Sequence, residues 1–174
     1  MNTKVLSGLA LAAVAILLLM FVSPSFRQGE AGVAGSVPPD FAFQLDGRET
    51  HLSELHGKVV VLNFWATWCA PCVEEMASLN RFHQRIEPLG AMVLGVSVDD
   101  NQQAFEQFIR EQQIAFPNYR EPTQRLAASY GTAMYPETYI IGKDGRIARK
   151  IIGPQDWDRP DFLEYVRHLA AAKE

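Results

Sequence analysis

The apolar positions of the chain change period several times, and each change marks an element. Phe41-Ala42-Phe43-Gln44-Leu45 alternates, Asp46-Gly47 reads as a turn, and Thr50-His51-Leu52 returns, which predicts a β-hairpin. Residues 58–65 are almost continuously apolar, as in a central parallel strand buried on both faces. Residues 71–86 have helical spacing, with Pro71 in the first turn, where a missing N–H costs nothing. Residues 91–98 form the next buried strand. Asp99-Asp100-Asn101 then caps a helix with Ala104, Phe105, Phe108 and Ile109 on one face. A short strand is expected at Ile114-Ala115-Phe116, stopped by Pro117, and a short helix over 124–130, ended by Gly131. Strands over 138–141 and 146–152 are joined by a Lys143-Asp144-Gly145 turn. Asp158-Arg159-Pro160-Asp161 opens a last helix with Phe162, Leu163, Val166 and Leu169 inward. The sum is an α/β fold, a mixed central sheet with helices on both faces.

The N-terminal pattern is different. Residues 5–22 carry no charge and approach the length that spans a hydrocarbon core, with Lys4 before them. Residues 1–22 are therefore expected to be a membrane anchor with the domain outside the cytoplasm. The other reading is a signal segment cut after Ser25, giving a secreted domain. Residues 23–36 are rich in Gly, Ser, Ala and Pro and read as a flexible linker, leaving 37–174 as one domain. Net charge is −4 with no basic run, which gives no electrostatic footprint for nucleic acid.

The chemistry rests on the only two cysteines, in Trp68-Cys69-Ala70-Pro71-Cys72. A strand running into CxxC at a helix start is the arrangement for dithiol–disulfide exchange. The helix N-terminus favours a thiolate at Cys69, the nucleophile, and Cys72 one turn along can resolve a mixed disulfide. A structural zinc site would want four ligands, but no second cysteine pair exists and His51, His56, His83 and His168 are scattered. A bridge closing so short a loop is also a poor stability staple. No bound cofactor or metal is required, because the cysteine pair carries the electrons.

On a helical wheel, Met76, Leu79, His83 and Ile86 fall within about 40° of Cys72 and define the buried face, while Glu74 lies about 160° away in water. Glu75 lies about 60° to one side, flanking the seam. A half-buried carboxylate there has a raised pKa and can trade protons with Cys72. The alternative is a glutamate that snorkels to the surface. Trp65 is expected in the core and Trp68 over the active site, with a purely structural role open for both. Phe105, Phe108 and Phe162 belong to core stripes.

Residues 59–72 and Tyr135-Pro136-Glu137-Thr138 resemble the thioredoxin superfamily, and within it the membrane-tethered TlpA/ResA/CcmG (DsbE) type of thiol–disulfide interchange protein. The resemblance spans about residues 37–170, including an extra N-terminal hairpin and a helix–strand insertion after Val98. It implies that Pro136 is a cis-proline facing the active site, that the Tyr135 backbone pairs with a substrate strand, and that Trp68, Tyr135, Pro136 and Glu137 bind substrate. For Glu137, an exposed loop carboxylate is the other reading. Thioredoxins carry a buried aspartate where this chain has Asn63, which cannot titrate. That departure, and a glutamate at the same offset in the related proteins, favour Glu75 in the acid–base role. Asn63 could equally just hydrogen-bond inside the sheet edge.

The implied activity is reduction of protein disulfides outside the cytoplasm, such as those of apocytochrome c during cytochrome c maturation. A thiol–disulfide electron carrier in the inner membrane would be the donor. Exchange in the other direction or with other clients is the alternative. A copper-binding assembly factor is less favoured, because the spacing is CxxC and no histidine lies in the loop before Pro136. A peroxidase would need a different setting around its cysteine than a preceding tryptophan.

Overall fold

The computed structural model describes residues 33–172. The expected 5–22 anchor lies outside the described residues, and among those no helix is long and apolar enough to cross a membrane. The elements are β1 (Ala42–Leu45), β2 (Arg48–His51), β3 (Val59–Trp65), α1 (Ala70–Ile86), β4 (Ala91–Ser97), α2 (Gln102–Glu111), β5 (Asn118–Arg120), α3 (Arg125–Ser129), β6 (Glu137–Ile141), β7 (Ile147–Ile152) and α4 (Pro160–Ala171). Short 3-10 turns follow β2 and α1.

The main sheet has the order β5-β4-β3-β6-β7. β3 runs parallel to β4 and β4 to β5, whereas β6 is antiparallel to both β3 and β7. Every residue of β3, β4 and β6 is buried, which is why those segments do not alternate in sequence. Trp65 on β3 packs against Phe105 and Phe108 of α2, at ring separations of 6.0 and 5.2 Å. Trp157 packs between Phe82 of α1 and Phe162 of α4, at 5.3 and 4.6 Å. The opposite face is closed by Tyr130, after α3, against Phe64 and Tyr139. Fully burying a side chain of this size is worth roughly 1.5–3 kcal/mol, so these rings hold the helices to the sheet.

The expected N-terminal hairpin is present as a separate β1–β2 sheet, and the helix–strand insertion is α2 with β5. Asp46 and Gly47 both have positive φ, 52° and 77°, as the tight turn requires. The Asn101 side chain caps α2 by accepting from Ala104 N at 3.0 Å.

Two boundaries differ from the sequence reading. The strand expected at Ile114-Ala115-Phe116 lies instead at Asn118–Arg120. Ile114 N donates back to Ile109 O and Ala115 N to Asn80 Oδ1, so this stretch ties the end of α2 to α1 instead of pairing as a strand. Pro117 opens the strand, its carbonyl accepting from Gly95 N at 2.9 Å, a place on an edge strand that proline tolerates. The linker expected over 23–36 is also too long. Gly35 N donates to Ile147 O, and Ser36 O accepts from Ile147 N, so these residues lie along β7.

Candidate active site

β3 ends at Trp65, and Ala66-Thr67-Trp68 carries the chain to Cys69, the N-cap of α1 in extended conformation. The buried Asp99 fixes this approach: one of its oxygens accepts from Thr67 Oγ1 at 2.6 Å, both accept from Thr67 N at 3.1 Å, and Ser97 Oγ donates at 2.6 Å. Cys69 and Cys72 are joined as a disulfide with Cα atoms 5.3 Å apart. Cys69 keeps 7% of its surface exposed and Cys72 none, so an incoming thiolate reaches Cys69 first. Cys69 sits at the N-cap of α1, the helix end that favours negative charge, and Pro71 removes one first-turn N–H.

Glu75 is more deeply buried than a half-buried flank, at 3% exposed. Oε1 accepts from Asn63 Nδ2 at 2.9 Å, and Oε2 accepts from Gln155 N at 2.8 Å and Trp157 Nε1 at 3.1 Å. Burial pushes the Glu75 carboxyl up to about 7, and the three donors oppose that shift. The group therefore changes charge near neutral pH, within reach of a helix turn from Cys72. Glu74 is exposed.

Asn63 does not sit at a sheet edge: β3 is the central strand. Its Nδ2 also donates to Thr138 Oγ1 at 2.9 Å, directly across the β3–β6 ladder, while its Oδ1 is buried with no partner. The amide thus joins the helix glutamate to the strand that follows Pro136.

The Tyr135–Pro136 bond is cis. The β3–β6 register sets Glu137 opposite Phe64, which places Pro136 at the end of β3 where the chain leaves for Cys69. Tyr135 meets the exposed Trp68 edge to face at 6.0 Å, and exposed Met134 adjoins it in sequence. Among the described residues, the backbone groups of Ala133, Met134 and Tyr135 bond to no other backbone group. Glu137 is a correction to the sequence reading. It is 1% exposed, paired with Lys150 Nζ at 3.1 Å, and neither an exposed loop carboxylate nor able to touch a substrate. Starting β6 turns its side chain inward.

Sequence reasoning missed Thr138, Gln155, Trp157, Asp99 and Lys150. Thr138 had a signal, since it ends the Pro-Glu-Thr segment and opens the strand expected over 138–141, which pairs with β3. Gln155 and Trp157 had none, being 80 and 82 residues from the glutamate they hold.

A strand that delivers an accessible and a buried cysteine to a helix start, before a mixed five-stranded sheet, defines a thioredoxin-like thiol–disulfide oxidoreductase. The chain belongs to the AhpC/TSA family, which its residues 34–150 match. It is 32% identical over 131 residues to the thiol-disulfide oxidoreductase ResA of Bacillus thuringiensis strain Al Hakam, covering 75% of this chain and 76% of that one. A thiol:disulfide interchange protein DsbE from Chlorobium tepidum has a similar structure, with a TM-score of 0.72 at 24% identity over 79% of this chain and 98% of that one. So does a secreted thiol-disulfide isomerase from Corynebacterium glutamicum, with a TM-score of 0.72 at 25% identity over 86% and 96%.

Proposed function

We propose that the protein reduces disulfides of client proteins outside the cytoplasm, and that apocytochrome c is the client. The observation that carries this reading is the buried Glu75 carboxyl, poised near neutrality one turn past Cys72. Starting from the dithiol, the Cys69 thiolate attacks one client sulfur. A mixed disulfide forms, and the other client sulfur leaves as thiolate and takes up a proton. Cys72 then gives its proton to the Glu75 carboxylate and attacks Cys69 Sγ, closing the Cys69–Cys72 bridge and expelling the second client sulfur. Two electrons pass to the client, whose two thiolates take up protons from water, and Glu75 then releases the Cys72 proton to solvent.

The Trp68, Met134 and Tyr135 surface supports docking of an extended client segment, its backbone pairing with the unpaired groups of Tyr135 beside Pro136. Return to the dithiol needs a thiol donor, and with an anchor over residues 1–22 that donor is a thiol–disulfide carrier of the inner membrane. The likeness to a secreted isomerase supports the location.

The deciding experiment is the equilibrium reduction potential of the 174-residue chain, followed by its rate with a peptide bearing an oxidised Cys-x-x-Cys-His pair. A potential between about −270 and −230 mV with rapid peptide reduction supports the reading, and one near −120 mV points to disulfide formation instead.

A further inference from the structure

Lys150 lies on β7 directly opposite Tyr139 and is only 7% exposed. Its ammonium pairs with the Glu137 carboxylate at 3.1 Å, donates to the Gly131 carbonyl at 3.2 Å, and sits 5.2 Å from the Tyr139 ring centre. Tyr139 Oη adds a second tie: it lies 2.8 Å from Tyr130 O, 3.2 Å from Thr132 Oγ1 and 3.1 Å from Glu137 Oε2. Gly131 and Glu137 are the two ends of one segment. Between them run Met134, Tyr135 and Pro136, and the backbone groups of 133–135 bond to no other backbone group. One buried cation therefore closes the base of a loop whose middle has no backbone partner.

A buried ion pair is a poor device for stability alone, because an apolar pair of the same volume holds a core as well or better. What it supplies is a fixed geometry between two points that must not drift. We propose that Lys150 is a positioning residue for client docking: it clamps both ends of the 131–137 segment and so aims the Tyr135 backbone at the strand beside Cys69. This rests on the docking reading given above. Lys150 touches neither sulfur nor any group bound to Glu75, so the redox chemistry itself is outside its reach.

The test separates docking from chemistry. The reduced 174-residue chain is mixed with the oxidised Cys-x-x-Cys-His peptide and, separately, with oxidised glutathione, whose tripeptide arms offer only a fraction of the extended backbone the longer peptide presents to the loop. The variants are Lys150→Met, Lys150→Arg, and the double Lys150→Met with Glu137→Gln, which avoids stranding a buried carboxylate. In Lys150→Met and in the double variant, the peptide concentration for half-maximal rate rises about tenfold, while the glutathione rate and the reduction potential stay within about twofold. Lys150→Arg, which keeps charge and reach, restores peptide affinity. If Lys150→Met does not fold, the double variant decides. An unchanged peptide affinity, or equal losses with peptide and glutathione, overturns the proposal. A wild-type chain that reduces the peptide no faster than glutathione overturns the docking reading and this proposal with it.

Discussion

Asn63 Nδ2 stands 2.9 Å from Glu75 Oε1, so the central strand donates a hydrogen bond into the buried carboxyl of α1. Replacing Asn63 by aspartate turns that donor into an acceptor. Two carboxyls then share one buried site and cannot both ionise. Asn63→Asp should fold well at pH 5, and at pH 8 lose on the order of 2–4 kcal/mol more than wild type. Urea unfolding at the two pH values measures this, and an equal loss at both would remove the argument.

Glu75 also makes stability depend on pH. Its folded pKa, about 7, lies above its ordinary value of 4.5. Below pH 4.5 the carboxyl is protonated in folded and unfolded chains alike and costs nothing. As pH rises to about 7 the unfolded chain ionises and the folded one resists, so stability falls by on the order of 3 kcal/mol and then levels off. Glu75→Gln should lack this fall, seen as converging melting temperatures at low pH and a more stable variant at pH 8.

The acid–base role proposed for Glu75 makes turnover depend on pH as well. The rate of peptide disulfide reduction should rise with pH through an inflection near 7 as the Glu75 carboxylate forms and accepts the Cys72 proton. In Glu75→Gln the inflection disappears and the resolving step slows on the order of 10²-fold, so the mixed disulfide accumulates and can be trapped by acid quench. A variant with wild-type resolution would show that the proton goes elsewhere.

Gly95 is needed for space. A Cβ there would come 2.0 Å from Asn118 Oδ1 and 3.0 Å from Trp65 Nε1, the two atoms of a part-buried hydrogen bond joining β3 to β5. Gly95→Ala should cost about 1–3 kcal/mol by displacing Asn118, with the reduction potential unchanged. Calorimetry on the oxidised protein checks the first and a thiol–disulfide titration the second.

Much of the fold was legible because burial leaves a local trace. Residues 58–65 and 91–98 are apolar throughout because both sheet faces are covered, and the wheel centred on Cys72 separated Glu74 from Glu75. The edge strand was not legible. β5 holds three half-buried residues, while of its apolar neighbours Ile114 closes α2 and Phe116 packs against His83 of α1. In the site, the cysteines announced themselves by spacing, whereas the donors to Glu75 depend on where β7 and the following loop return in space. Glu137 misled for a related reason: its partner Lys150 is 13 residues away on another strand, so nothing nearby marked it as buried.

The donors from Gln155 and Trp157 have a consequence for biosynthesis. Cys69 and Cys72 leave the ribosome some eighty residues before the groups that hold Glu75, so the nascent chain first presents a pair of plain, untuned thiols. The cage around the Glu75 carboxyl is completed last, when the stretch carrying Gln155 and Trp157 docks, and until then that carboxyl stays in water.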